Sequence, residues 1–166
     1  MSTTFIISIL VFILLFGVLF TYANMKSKNE EKAILNSFFD FATTHRGEVK
    51  EYDQLSNLVI GYASNIESLF FFNVKERGRI ETVIALSEIA SCRLHKPIRR
   101  SLDGRDTTLE RIELILEYVQ GKRPAEHITF YNLDDGSLKL QGELQLAERW
   151  HTLISNKLPS LRKAII

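Results

Sequence analysis

"DQLSNLVIGYASNIESLFFFN", residues 53–73, is the stretch on which the fold turns. Leu55, Leu58, Val59, Tyr62, Ile66, Leu69 and Phe70 recur at spacings near three and four, which places them on one broad face of a helix. Asp53 stands where a helix N-cap is wanted. The spacing therefore predicts one α-helix across the segment. Phe70-Phe71-Phe72 then poses a difficulty. Consecutive residues fan over about 200° of a helix, so one buried face cannot take all three. Phe38, Phe39 and Phe41 repeat the situation. Either the helix is buried on two sides within the domain, or Phe70, Phe71, Phe72, Phe38 and Phe39 form an apolar surface for a partner chain, a second copy or lipid.

The flanking segments carry similar stripes. "EEKAILNSFFDFATT", residues 30–44, has apolar side chains at 34, 35, 38, 41 and 42, with Gly47 placed to end the helix. "RIETVIALSEIASCRLH", residues 79–95, reads as a third helix stopped by Pro97. Thr107 and Glu110 form a capping box ahead of a fourth, with Leu109, Ile112, Ile115, Leu116 and Val119 as its stripe. A last helix over 143–157 carries Leu144, Ala147, Trp150, Leu153 and Ile154. Between these two, "HITFYNL" and "LKLQG" flank Asp135-Gly136 and predict a small β-hairpin near 127–141. The expected fold is mostly α, with about five helices and one hairpin.

Toward the N-terminus the composition changes. Residues 5–23, "FIISILVFILLFGVLFTYA", hold no charged side chain. At 1.5 Å per residue they would span roughly 28 Å, close to the ~30 Å hydrocarbon core of a bilayer. The expectation is a short tail over 1–4, a transmembrane helix over 5–23 acting as a signal anchor, and a helical domain over 24–166. "MSTT" has no Lys or Arg and Thr21-Tyr22-Ala23 is a poor cleavage site, so a cleaved secretory signal is disfavoured. Lys26, Lys28 and Lys32 follow the helix and none precedes it, which puts the domain on the cytoplasmic side of an inner or plasma membrane. The single cysteine excludes an intrachain disulfide, and no glycosylation sequon occurs.

Twenty-one Lys and Arg against 20 Asp and Glu give a formal charge of +1. That balance argues against a general nucleic-acid binder. The charge is nevertheless concentrated in "CRLHKPIRRSLDGR", residues 92–105. Arg93, Lys96, Arg99, Arg100 and Arg105 could converge on an anionic lipid or an acidic partner, since Arg presents a planar fork to phosphate or carboxylate. The plainer reading is a solvated corner whose cations pair with Asp103, Asp106 and Glu110. Upstream, Glu88, Cys92 and His95 share one helical stripe, where a carboxylate, a thiol and an imidazole could hold zinc or make a Cys-His nucleophile pair. Four zinc ligands are not on offer, so no catalytic residue, metal or cofactor is assigned. His45, His127 and His151 show no ligand spacing and read as surface or satisfied polar residues. The functional expectation is a membrane-anchored helical interaction module that binds a protein partner or its own copies, its basic corner facing anionic lipid or an acidic partner. Alternatives are an envelope or assembly factor on the outer side of the membrane, and an enzyme built around Glu88, Cys92 and His95.

Overall fold

The structure, a computed structural model, describes residues 12, 28–75, 78–100, 107–119, 123–136 and 140–163. It corrects the expected fold class. The chain is mostly β, and two α-helices frame the strands: α1 over residues 28–44 and α2 over Glu143–Lys163. Both occupy segments whose apolar spacing predicts helix. The segments predicted as the second, third and fourth soluble helices are strands.

Residues 53–73 show why. Val49–Leu55 (β1), Leu58–Ala63 (β2), Ser68–Lys75 (β3) and Gly78–Ala85 (β4) form one antiparallel sheet in the order β1-β2-β3-β4. Leu55 faces Leu58 across a two-residue turn, where Ser56 takes a left-handed φ of 52°. Ala63 faces Ser68 across a second turn, closed by Glu67 at φ 50°. The apolar run between these turns is continuous rather than alternating, because β2 and β3 are buried on both faces. A continuous run satisfies helical spacing as readily as strand spacing.

Leu58, Ile60, Tyr62, Leu69, Phe71 and Ile84 point into the main core. Val59, Ala63, Phe70 and Phe72 point the other way, onto Phe38 and Ala42 of α1. The Phe38 ring meets Phe72 edge-on at 6.5 Å, and Phe41 meets Phe70 at 5.7 Å. The three consecutive phenylalanines thus resolve by strand alternation. Phe71 goes to one core, Phe70 and Phe72 to the other.

The main core is closed from the opposite side. Ile89–His95 (β5), Arg111–Tyr118 (β8) and Glu126–Asn132 (β9) make a second antiparallel sheet in the order β5-β8-β9. Between β5 and β8 a short hairpin is inserted, Ile98–Arg100 (β6) with Thr107–Leu109 (β7). Ile112, Leu114 and Leu116 of β8 are fully buried, as are Ala147, Trp150 and Ile154 of α2. Asp53, expected as a helix cap, lies on β1 instead. Its carboxylate accepts from the Trp150 indole at 2.9 Å and from Arg149 at 2.7 Å, tying α2 to the first sheet.

Two further corrections concern the ends of the sequence reading. β9 is the first arm of the expected hairpin, but it pairs with β8, and Leu140–Gly142 form no strand. The membrane span expected over 5–23 lies outside the described residues except for Phe12. Among the described residues no helix is long and apolar enough to cross a membrane. The structure therefore gives no support to an integral single-pass chain, or to the membrane location and cytoplasmic side inferred from it.

Two variants test this packing. A Cβ on Gly61 of β2 would sit 2.6 Å from Val49 Cγ1 and 2.8 Å from Phe38 Cζ, so Gly61→Ala should destabilise the chain by about 1–3 kcal/mol. An unchanged denaturation midpoint would show that α1 does not press on β2. Asp53→Ala leaves the buried Trp150 N–H without its acceptor and should cost about 1–3 kcal/mol. Asp53→Asn keeps an acceptor oxygen and should recover more than half of that in the same denaturant titration.

Candidate functional site

The outer face of β5-β8-β9 brings together ionisable residues from all three strands. β8 alternates, so with Ile112, Leu114 and Leu116 inside, Glu113, Ile115 and Glu117 face outward. His95 of β5 lies directly opposite Glu113, and His127 of β9 lies opposite Ile115, one diagonal step away. His95 Nδ1 sits 2.9 Å from Glu113 Oε1. His127 Nδ1 is 3.4 Å and Arg111 Nη1 3.7 Å from Glu113 Oε2. These groups cover the carboxylate, whose side chain is only 4% exposed, while His95 and His127 remain about half exposed at 52% and 51%.

Burial alone would raise the Glu113 pKa. Hydrogen bonds from His95 and His127, with the charges of His127 and Arg111, outweigh it and hold the carboxyl below the usual carboxylate range. Beside it, Glu117 accepts from Ser91 Oγ at 2.6 Å and pairs with Arg93 at 2.5 Å. The Ser91 hydrogen bond, then the Arg93 charge, lower its pKa as well. The patch is thus one sequestered anion, one exposed anion, two guanidinium groups and two imidazoles.

Among the described side chains of the basic run, Arg93, Lys96 and Arg99 go to separate partners. Arg93 pairs with Glu117 of β8, and Lys96 with Glu148 of α2 at 3.2 Å. Arg99 reaches Glu110 at 3.1 Å and Asp134 at 3.7 Å. Arg100 belongs to β6, opposite Thr107. Arg105 lies outside the described residues. Each described pair joins a different element, so Arg93, Lys96 and Arg99 brace the fold around the β6–β7 insertion. The apolar candidates are also accounted for: Phe38, Phe70, Phe71 and Phe72 are buried inside the chain, and Phe39 is half-buried against Tyr52 at 5.2 Å.

Glu88, Cys92 and His95 are not assembled. An offset of three residues lies on one side of a helix but on opposite faces of a strand. Cys92 therefore enters the core while His95 turns outward to Glu113. Burial pushes the Cys92 thiol up to about 12, far from a reactive thiolate at neutral pH. Glu88 ends a 3₁₀ turn over Leu86–Glu88 and pairs with Arg123 at 3.0 Å. Among the described residues no group of three or more His, Cys, Asp or Glu side chains could hold a metal ion.

Glu113, His127 and Arg111 are the residues that helical reading missed. The signal was present: in "RIELILEY" Arg111, Glu113 and Glu117 share one parity and Ile112, Leu114 and Leu116 the other, a two-residue period interrupted only at Ile115, as in a half-buried strand. No protein-family model, curated protein or solved structure matches the chain, so the face is interpreted from its own geometry.

The sign of the Glu113 shift gives a pH test. A carboxyl held lower in the folded state contributes stability that is fully present above its unfolded value. That contribution disappears as pH falls through the lower folded value. Glu113→Gln should therefore flatten the acid limb of the stability curve, with its deficit relative to wild type largest near neutral pH and shrinking toward pH 3. Parallel curves across that window would show that the cluster carries no such linkage.

Proposed function

We propose that this chain is a binding module for an acidic protein surface, engaged through the outer face of β5-β8-β9. The observation that supports this reading is the asymmetry of exposure around Glu113. Its negative charge is consumed within the face, whereas Arg93, Arg111, His95 and His127 stay partly open to solvent. A partner therefore meets four cation-capable groups against one exposed carboxylate, that of Glu117, which is paired with Arg93. The strands hold these groups in a fixed spacing, so little backbone ordering is required on binding. Arg93 links this reading to the basic run seen in the sequence, but its neighbours here are Arg111, His95 and His127. An active site around Cys92 is not proposed, because the thiol and the imidazole occupy opposite faces of β5.

Fluorescence anisotropy with a deca-glutamate peptide tests the proposal, with deca-lysine as control. The acidic peptide should bind with an affinity that weakens as salt rises, and the basic peptide should not bind. Replacing Arg93 and Arg111 together by Ala should weaken binding about three- to tenfold, since exposed ion pairs contribute about 0.2–1 kcal/mol each. Equal binding by the double variant, or equal binding of both peptides, would remove this face from the account.

A further inference from the structure

On its β4 side the first sheet ends in an edge that no described strand continues. β4 pairs with β3 along one side only. It runs for eight residues, longer than the usual strand of about five or six. A free edge presents unpaired N–H and C=O groups and templates pairing with another strand, so edges are ordinarily blunted by a bulge, a proline, charge or a covering element. "GRIETVIA", residues 78–85, has no proline, and its register against β3 is unbroken from Ser68↔Ala85 to Lys75↔Gly78. The strand is exposed from Gly78 to Glu81 and again at Val83. Charge is the one device present, in Arg79 and Glu81, and the two carry opposite signs.

Apolar surface remains on both faces of this edge. Ile80 shares the core-side face with the buried Ile84, yet is 43% exposed. Val83 stands opposite Phe70 on the α1 side and is 36% exposed.

The charges select what fits. Arg79 and Glu81 lie on one face two positions apart, with Arg79 Nε 2.8 Å from Glu81 Oε1. A second copy of β4 can lie antiparallel along the edge, related by a two-fold axis normal to the sheet. Opposite residues of an antiparallel pair share a face and faces alternate along a strand, so that axis must pass through a residue. Through Arg79 or Glu81 it would set like charges directly opposite, which is destabilising. Through Thr82 it would set Glu81 against Val83 and leave both charges unanswered. Through Ile80 it sets each Arg79 opposite the partner's Glu81, in both directions, and Ile80 opposite its own copy. Self-complementarity of this kind is what a closed two-fold interface requires.

We propose that β4 is a homodimer seam, in which two copies join edge to edge, antiparallel and centred on Ile80, so that their four-stranded sheets become one. Each Glu81 then lies between its own Arg79 and the partner's Arg79, and the four side chains close into an alternating set. The seam shares no residue with the outer face of β5-β8-β9, so it stands or falls separately from that interaction.

Disulfide trapping of the full chain tests it. Cys92→Ala removes the native thiol, and Ile80→Cys then places a cysteine opposite its own copy, at a Cα separation a disulfide accepts. Val83→Cys in the same background is the control, because its copies would lie six residues apart along the seam, about 20 Å. On oxidation the Ile80→Cys chain should give at least about tenfold more covalent dimer than the Val83→Cys chain. Adding Glu81→Arg to the Ile80→Cys chain gathers four guanidinium groups and should cut the yield at least about fivefold. Adding Arg79→Glu as well reverses both signs and should restore it, which separates pairing from any effect on folding. Equal trapping at the two sites, no loss with Glu81→Arg, or no recovery in the doubly reversed chain would each overturn the proposal. Absence of trapping at both sites would overturn the second copy as the occupant of this edge.

Discussion

β2 and β3 have no face left for water, and the rest of the molecule is arranged to satisfy that constraint. An antiparallel sheet commonly keeps one wet side. Here Val59, Ala63, Phe70 and Phe72 need cover on one side while Leu58, Ile60, Tyr62, Leu69 and Phe71 need it on the other. α1 provides the first cover and the second sheet, with α2, provides the other. Burying a side chain of this size contributes about 1.5–3 kcal/mol. The close approach of α1 in turn requires Gly61, where no side chain could be accommodated without movement. The Asp53–Trp150 hydrogen bond fastens the far cover to the edge of the same sheet, so both layers refer back to the β1–β3 strands.

The second sheet handles its polar residues differently. Its inner face is apolar, but its outer face buries a carboxylate by covering it with the side chains that neutralise it. Burying a charge is tolerated when partners and hydrogen bonds replace the lost water. His95, His127 and Arg111 do this from three strands, so Glu113 fixes the orientation of its neighbours while they shield it. The result is an outer surface of four cation-capable groups around the shielded Glu113 carboxylate, with Glu117 as the one exposed anion beside Arg93. That same shielding is why the charge balance of the whole sequence, near zero, gives little guide to the charge presented by this face.

The sequence was legible where one periodicity excluded the other. α1 and α2 carry clean helical stripes, and the structure places helices over both segments. It was ambiguous between Asp53 and Asn73, where six successive buried residues in β2 fit either period and the turns at Ser56-Asn57 and Ser64–Glu67 lack the Asn-Gly or Asp-Gly signature of a tight hairpin. The helical choice there propagated into the site. It placed Cys92 and His95 on one side and left Glu113 and His127 unrelated. Read as a strand, "RIELILEY" would have shown Glu113 on the polar face. Its pairing with His127 depends on the β8–β9 register, which shifts at Ile112/Glu113 and leaves no mark in composition.

The bond between Asp53 and Trp150 also spans 97 positions of the chain. α2 follows all nine described strands in chain order, yet Ala147, Trp150 and Ile154 fill the centre of the main core. During synthesis, then, the two sheets emerge before the element that completes the space between them. At the usual pace of about 5–20 residues per second, the strands spend seconds with an incomplete apolar interior. For this chain the vulnerable interval runs from the appearance of the β9 strand until α2 can dock.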